Sequence, residues 1–453
     1  MRFKLFVLLA ACAAMIAAPA FAGMQNVETF GSLQIRGNWY SSGSPGINNY
    51  DFVEAGDSHS YYEQRTTIGF KVDFTDDVTA VIHLDNYGYW GDSFRSEPIT
   101  GEDTKGSMVG EYENVELYQG YIEMRDIGGY AVDAKIGRQE VMHGSEWLLG
   151  NNSTASDFRH LSFDGISATY TADSWSLYGG AFKLHDNSGM GGLASISGIY
   201  GSYSSLSQSS SSQEDGDTDL YVLYGSYGGI EDLTIDAYWI YLRDARDFGM
   251  SDNTELHTFG ARVDGEVAGF DYEVEAAFQT GDTPFGGDWE GVGINTEVGY
   301  GFDHELNPRV FLGAAFFSGE DLTDGSGDLG FNRLFSDWEY SEFLDDTTLS
   351  NVLIVRGGGS IEPTEKIGVS GTVGWFQADE DLGEDDIGME VGLYGTYQYS
   401  EDLAFEAGYA HFFVGDGGED GNAIIANGLG LVGNGGMDDE DADYFYLQSS
   451  ISF

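Results

Sequence analysis

Residues 270–280 read Phe-Asp-Tyr-Glu-Val-Glu-Ala-Ala-Phe-Gln-Thr. Phe270, Tyr272, Val274, Ala276 and Phe278 occupy one phase, and Asp271, Glu273, Glu275 and Gln279 the other. Successive side chains of an extended chain point to opposite faces, so this stretch is a β-strand with one apolar and one acidic face. Residues 62–74 repeat the pattern, with Ile68, Phe70, Val72 and Phe74 against Glu63, Arg65, Lys71 and Asp73. No comparable helical periodicity runs through the chain.

Alternation alone fits a soluble β-sandwich as well as a membrane barrel. The connections separate the two. Eighteen strand segments begin near residues 31, 62, 78, 115, 130, 163, 175, 219, 233, 256, 270, 293, 309, 351, 366, 387, 403 and 443. Links between them alternate short and long: Thr75 to Asp77, Asp126 to Gly129, Thr171 to Ser174 and Ser400 to Asp402 are short, whereas 41–60, 139–161, 186–217, 319–350 and 415–441 are long. Short turns on the periplasmic side, long loops outside and an even strand number are the rule for outer-membrane barrels. The expected fold class is therefore all-β, a transmembrane antiparallel up-and-down β-barrel of about 18 strands, with 16 as the alternative if one weak pair is miscounted.

Other features agree with an exported membrane protein. Arg2 and Lys4, the apolar run Leu5 to Ile16 and Ala20-Phe21-Ala22 make a signal peptide over residues 1–22, leaving 23–453 as a single barrel domain. Leu9-Ala10-Ala11-Cys12 also fits a lipoprotein box, but cleavage there leaves too short an apolar core. Cys12 is the only cysteine, so the mature chain forms no disulfide. No later apolar run is long enough for a spanning helix, and only a closed barrel lets strands satisfy every backbone group in lipid. The 28 Tyr and 29 Phe suit aromatic girdles, with Tyr40, Tyr300 and Tyr399 at strand ends. Phe445, Leu447, Ile451 and Phe453 alternate up to a terminal aromatic residue, as in the insertion signal read by the barrel-assembly machinery, with Ser449 as a weak position.

The formal net charge is −57, from 76 Asp+Glu against 19 Lys+Arg, which excludes nucleic acid as a partner. The eight histidines are scattered without HExxH spacing, and there is no GxSxG elbow, so catalysis is not expected. Gly428 to Gly433 fits GxGxxG but lies in a Gly/Asn-rich link with no βαβ unit around it. No cofactor is expected; Asp215-Asp217-Asp219 and Asp321-Asp324-Asp328 offer at most weak calcium or magnesium binding on acidic outer loops.

If the apolar phase faces lipid, the other phase lines the lumen. That places Arg36, Glu63, Arg65, Lys71, His83, Asp85, Glu123, Arg125, Asp133, Lys135, Arg262, Asp271, Glu273 and Glu275 inside, with Gln34, Asn38, Asp73 and Asp264. A mixed-sign interior encloses water, while a charge on the lipid face at mid-depth costs about 2–4 kcal/mol.

Lys135-Ile136-Gly137-Arg138-Gln139, Gly144, Leu149-Gly150 and Phe163-Asp164-Gly165, together with YYEQRTTIGFKVDF and AVIHLD, resemble the alginate-export-like outer-membrane channels across roughly residues 60–185. The resemblance implies an 18-stranded barrel and a passive channel role. It also implies an arginine-rich passage for an acidic polysaccharide, to which Arg138 and Arg159 correspond here among many carboxylates. From position and resemblance, the 139–161 link with Arg138, Glu146, Trp147, Asp157 and Arg159 is expected to fold inward and narrow the lumen.

The functional expectation is passive diffusion of ions and small hydrophilic solutes with a cation bias. The alternatives are a channel specific for a sugar, polysaccharide or organic acid, and a structural or adhesive acidic surface barrel. Expected partners are outer-membrane lipid and lipopolysaccharide, the assembly machinery, small hydrophilic solutes and, as in many porins, two further copies in a homotrimer.

Overall fold

A computed structural model describes residues 25–41, 59–90, 115–153, 160–185, 217–245, 254–283, 287–320, 328–344, 349–381, 383–419 and 441–453. The export segment 1–22, Asp157, Arg159, Asp215, Asp321, Asp324 and the Gly428 to Gly433 stretch lie outside these residues.

The strands are β1 (Asn26–Tyr40), β2 (His59–Thr75), β3 (Val78–Tyr89), β4 (Glu116–Met124), β5 (Val132–Gln139), β6 (Phe163–Thr171), β7 (Trp175–His185), β8 (Thr218–Ile230) and β9 (Leu233–Asp244). They continue as β10 (Thr254–Val267), β11 (Phe270–Asp282), β12 (Asp288–Gly301), β13 (Arg309–Phe317), β14 (Val352–Thr364), β15 (Ile367–Ala378), β16 (Asp386–Gln398), β17 (Leu403–Val414) and β18 (Ala442–Ser452). Every strand pairs antiparallel with its sequence neighbours, and β1 pairs with both β2 and β18. The sheet is thus closed and has no free edge, which is what a spanning sheet requires. Gly31 and Phe453 exchange two 3.0 Å backbone hydrogen bonds at the seam.

The register sorts each strand into an outward and an inward phase. Ile122, Ile136 and Ile166 stand directly opposite one another on β4, β5 and β6, all exposed, and Phe259, Phe278 and Val292 do the same on β10, β11 and β12. Around the barrel the outward phase makes a belt of exposed Ile, Leu, Val and Phe, bounded by exposed aromatics such as Tyr130, Trp175, Tyr399 and Phe453 at the short-link end and Tyr62, Trp90 and Phe413 at the other. No helix of the described residues is long and apolar enough to cross a membrane. The chain is an integral β-barrel of the outer membrane.

The interior corrects one expectation. The mixed-sign inward phase is expected to enclose water, but at the long-link end that phase is apolar over much of the circumference. Leu220 and Val222 of β8, Ile240 and Leu242 of β9, Leu256 of β10, Phe317 of β13, Ile354 of β14, Phe376 of β15 and Phe412 of β17 are buried in one cluster. They pack against Trp147, Leu148, Leu149, Phe331, Phe343 and Leu344, which belong to loops turned into the barrel. These strand ends are apolar on both faces, as in Leu220-Tyr221-Val222-Leu223-Tyr224, because one face meets lipid and the other meets a loop. The short-link half keeps a polar inner face, with Glu123, Asp133, Lys135, Asp271, Glu297 and Arg309, and at the long-link end buried polar side chains such as Asn38, Glu63, Arg65 and Glu390 interrupt the apolar cluster.

Candidate functional site

A belt of ion pairs crosses the inner wall from β9 to β14. The Arg262 guanidinium on β10 lies 3.0 Å from Asp236 on β9, 2.6 Å from Glu273 on β11 and 3.4 Å from Asp264 on its own strand. On β13, Arg309 pairs with Asp271 of β11 and, at 2.9 Å, with Glu297 of β12. The second oxygen of Glu297 accepts from Arg356 of β14 at 2.7 Å. Antiparallel registers bring these side chains together across neighbouring strands, and a buried guanidinium needs such partners to offset its desolvation. Three arginines here face Asp236, Asp264, Asp271, Glu273 and Glu297, so the belt is net acidic.

Two loops narrow the lumen above this belt. Residues 140–153, which follow β5, run alongside residues 328–344, which follow β13: Leu149 and Phe335 form a parallel bridge, with Gly150 N donating to Phe335 O at 2.8 Å and Phe335 N to Leu148 O at 3.0 Å. Asp337 N adds a 2.9 Å bond to Glu146 O. Trp147 is almost wholly buried; its ring stacks near Phe317 and Phe331, and its Nε1 donates to Tyr340 Oη at 3.0 Å. Tyr340 in turn donates to Asn295 Oδ1 of β12 at 3.0 Å. The guanidiniums of Arg333 and Arg356 stand 5.2 and 5.3 Å from the Tyr340 ring centre, within cation–π range.

The first loop also touches the wall formed by β7, β8 and β11. His143 lies against Tyr178 of β7 and Tyr224 of β8, and Ser145 Oγ reaches Glu275 Oε2 of β11 at 3.4 Å. Gly144 makes this approach feasible. Its φ is +60°, and a Cβ there would stand 2.8 Å from Tyr224 Oη and 3.2 Å from Arg262 Cδ. Glu146 adopts φ +63°, a left-handed conformation unusual for a residue with a side chain. Its carboxyl is held above the usual carboxylate range, first by burial and then by neighbouring Asp337 and Glu140, an effect that a bond from Asn151 N opposes.

The residues singled out in the sequence distribute as follows. Arg36, Glu63, Arg65, Lys71, His83, Asp85, Glu123, Asp133, Lys135, Arg262, Asp271, Glu273 and Glu275 stand on the inward phase, and Arg125, just past β4, bonds Glu123 at 3.0 Å. They do not form one wet surface. Glu63 and Arg65 are buried, with Glu63 accepting from Asn38 at 2.7 Å and Tyr87 at 3.0 Å, and Arg65 meeting Asp85 at 3.2 Å. Lys71 and Lys135, by contrast, have no carboxylate partner among the described residues, and Lys135 lies over the Tyr121 ring. Phe445, Leu447, Ile451 and Phe453 are exposed on the outward phase of β18.

Arg138 departs from its expected place. It belongs to β5 and shares the outward phase with Ile136, where it forms a bidentate pair with Asp164 of β6 at 2.7 and 2.6 Å. A two-residue repeat fixes its face once Ile136 meets lipid, so it cannot join the inward loop, whereas Glu146 and Trp147 do lie in that loop. The same outward row continues through Lys183, which binds Asp217 at 2.7 Å as well as Asp219, and Arg243, 3.4 Å from Asp219. These carboxylates of the first candidate calcium cluster are thus engaged by cations, and the described residues contain no group of three or more His, Cys, Asp or Glu that could hold a metal ion.

Sequence reasoning missed Asp236, Glu297, Arg309 and Arg356, and the entire inward course of residues 328–344. A signal was present for the loop. Phe331, Phe335, Trp338, Tyr340 and Phe343 are too many aromatics for a solvated link, and burial is the physical use for them.

The alginate export family model matches residues 205–424, C-terminal to the 60–185 stretch that carries the resemblance in the sequence. No curated protein matches the chain. Among solved structures, the barrel is similar to three Pseudomonas aeruginosa proteins. OccK8 (OprE) shares 14% identity with a TM-score of 0.55, over 94% of this chain and 98% of that one. OccD3 (OpdP) shares 15% with a TM-score of 0.54, over 95% and 93%. OccK11 (OpdR) shares 9% with a TM-score of 0.52, over 94% and 96%. At such identities the likeness is one of fold.

Proposed function

We propose that this protein is a non-enzymatic outer-membrane channel for passive diffusion of ions and small hydrophilic solutes, biased toward cations. The observation that carries the reading is the ion-pair belt of β9 to β14, in which carboxylates outnumber arginines on the inner wall of a closed barrel. A low-dielectric wall with net negative charge raises the local concentration of cations and lowers that of anions. The family match and the fold likeness support the channel class. In this reading residues 1–22 direct export and are removed, the outward residues of β18 mediate insertion by the assembly machinery, and the acidic outer loops contact lipopolysaccharide through weakly held divalent ions.

Planar-bilayer recording of the purified protein in a salt gradient tests the proposal. Steady single-channel steps with a cation-selective reversal potential are expected; anion selectivity defeats the bias, and absence of steps defeats the channel. The inward loops favour one second reading, a channel specific for a sugar, polysaccharide or organic acid, because two loops packed against the inner wall occupy part of the barrel's cross-section. Saturable transport or current block by one solute would select it.

A further inference from the structure

Residues 140–153 carry one histidine in a place that the channel reading does not use, and a second stands on the returning arm of the same loop. The His143 ring centre is 4.3 Å from that of Tyr178 and 4.5 Å from that of Tyr224, so the imidazole fills the seam between loop and wall. Its Nε2 is buried with no hydrogen-bond partner among the described residues. His160 packs edge-on to Tyr118 of β4, 5.9 Å between ring centres, and its Nε2 is likewise buried with no partner among the described residues. An imidazolium needs acceptors for both N–H groups, and among the described residues neither seam offers one to Nε2.

The surrounding charges are mixed. Toward His143 face Tyr178 of β7, Tyr224 of β8, Asp236 and Tyr238 of β9, Arg262 of β10, and Glu273 and Glu275 of β11; Asp236 favours a proton on the ring. Toward His160 face Arg65 of β2 and His83 of β3, which oppose a proton, Asp337 of the second loop, which favours one, and Tyr118 with its acceptor Glu140. Burial outweighs these contributions and pushes both imidazoles down to about 4 from an ordinary 6.5.

We propose that the loop of residues 140–153 is an acid-released gate, unseated from the barrel wall when His143 and His160 take up protons. The inference rests on the channel reading. With the loop docked, both rings are neutral; once it is released into water they bind protons at their ordinary value. At the two rings the released state therefore gains protons first, and these weaken docking as pH falls through the window between about 6.5 and about 4, against the smaller opposite contribution of Glu146, whose carboxyl takes up its proton first in the docked loop. The left-handed backbone of Glu146 adds strain that release relieves.

Single-channel conductance recorded at neutral pH and near pH 4 decides the matter. Protonation of lumenal carboxylates by itself lowers cation flow, so a conductance rise of about two-fold or more on acidification marks gate release. The doubly substituted His143→Phe, His160→Phe protein, whose rings fill the same seams without titrating, should lose the rise. In a Leu149→Cys, Phe335→Cys protein the histidines remain but oxidation ties the two loops together; the rise should vanish when oxidised and return on reduction. Steps that keep or lower their size at acid pH in the parent, or a rise that survives in either altered protein, overturn the gate while leaving the channel reading intact. Absence of steps at every pH overturns both.

Discussion

Trp147 Nε1 donates a 3.0 Å hydrogen bond to Tyr340 Oη, joining two loops whose residues lie 193 positions apart in the chain. That bond, with the ring contacts to Phe317 and Phe331, holds the first loop inside the barrel. Truncating a buried tryptophan typically costs about 3–5 kcal/mol and leaves a void. The Trp147→Ala protein should unfold at lower temperature in gel-shift assays and show larger single-channel steps; steps of parental size and ion preference would mean that the loop does not limit flow.

Glu297 is shared by Arg309 and Arg356 at 2.9 and 2.7 Å. Glu297→Gln leaves two guanidiniums with less compensation on the inner wall. The reversal potential in a salt gradient should move toward anions, and an unchanged potential would remove the belt from the selectivity argument.

Glu146 titrates above the ordinary carboxylate value because burial and Asp337 disfavour its charge. For an acid with a raised folded value, stability is greatest below the ordinary value and is lost as pH rises through the folded one. Glu146→Gln should therefore raise the unfolding temperature at neutral pH and flatten its dependence on pH above about 4.5. A parallel shift of parent and variant at all pH values would argue against this origin.

Arg138 and Asp164 form their bidentate pair on the outside of the barrel. Arg138→Ala should leave conductance and selectivity unchanged, and its stability effect should stay within about 1 kcal/mol, as for other exposed pairs. A changed reversal potential would show that Arg138 reaches the lumen after all.

The strand count was legible because alternation and link length are local properties of the chain: Phe270 to Gln279 declares its two faces without reference to any neighbour. The face of a residue follows from phase, and the register puts Arg262, Glu273 and Glu275 on one phase of β10 and β11. Partnership was not legible. Nothing local relates Glu297 to Arg356, which meet only because β12, β13 and β14 align at one register. Arg138 does not join the inward loop because strand β5 runs on through Gln139, so the residue grouped with the 139–161 link belongs to the strand.

Sequence by itself determined a closed, antiparallel, 18-stranded membrane barrel, since a period of two and alternating link lengths are written residue by residue and lipid permits no other closure. Tertiary structure alone decided what fills it. Whether Trp147, Phe331 and Leu344 face water or the inner wall depends on contacts between segments far apart in the chain, and burial of apolar surface is blind to sequence distance.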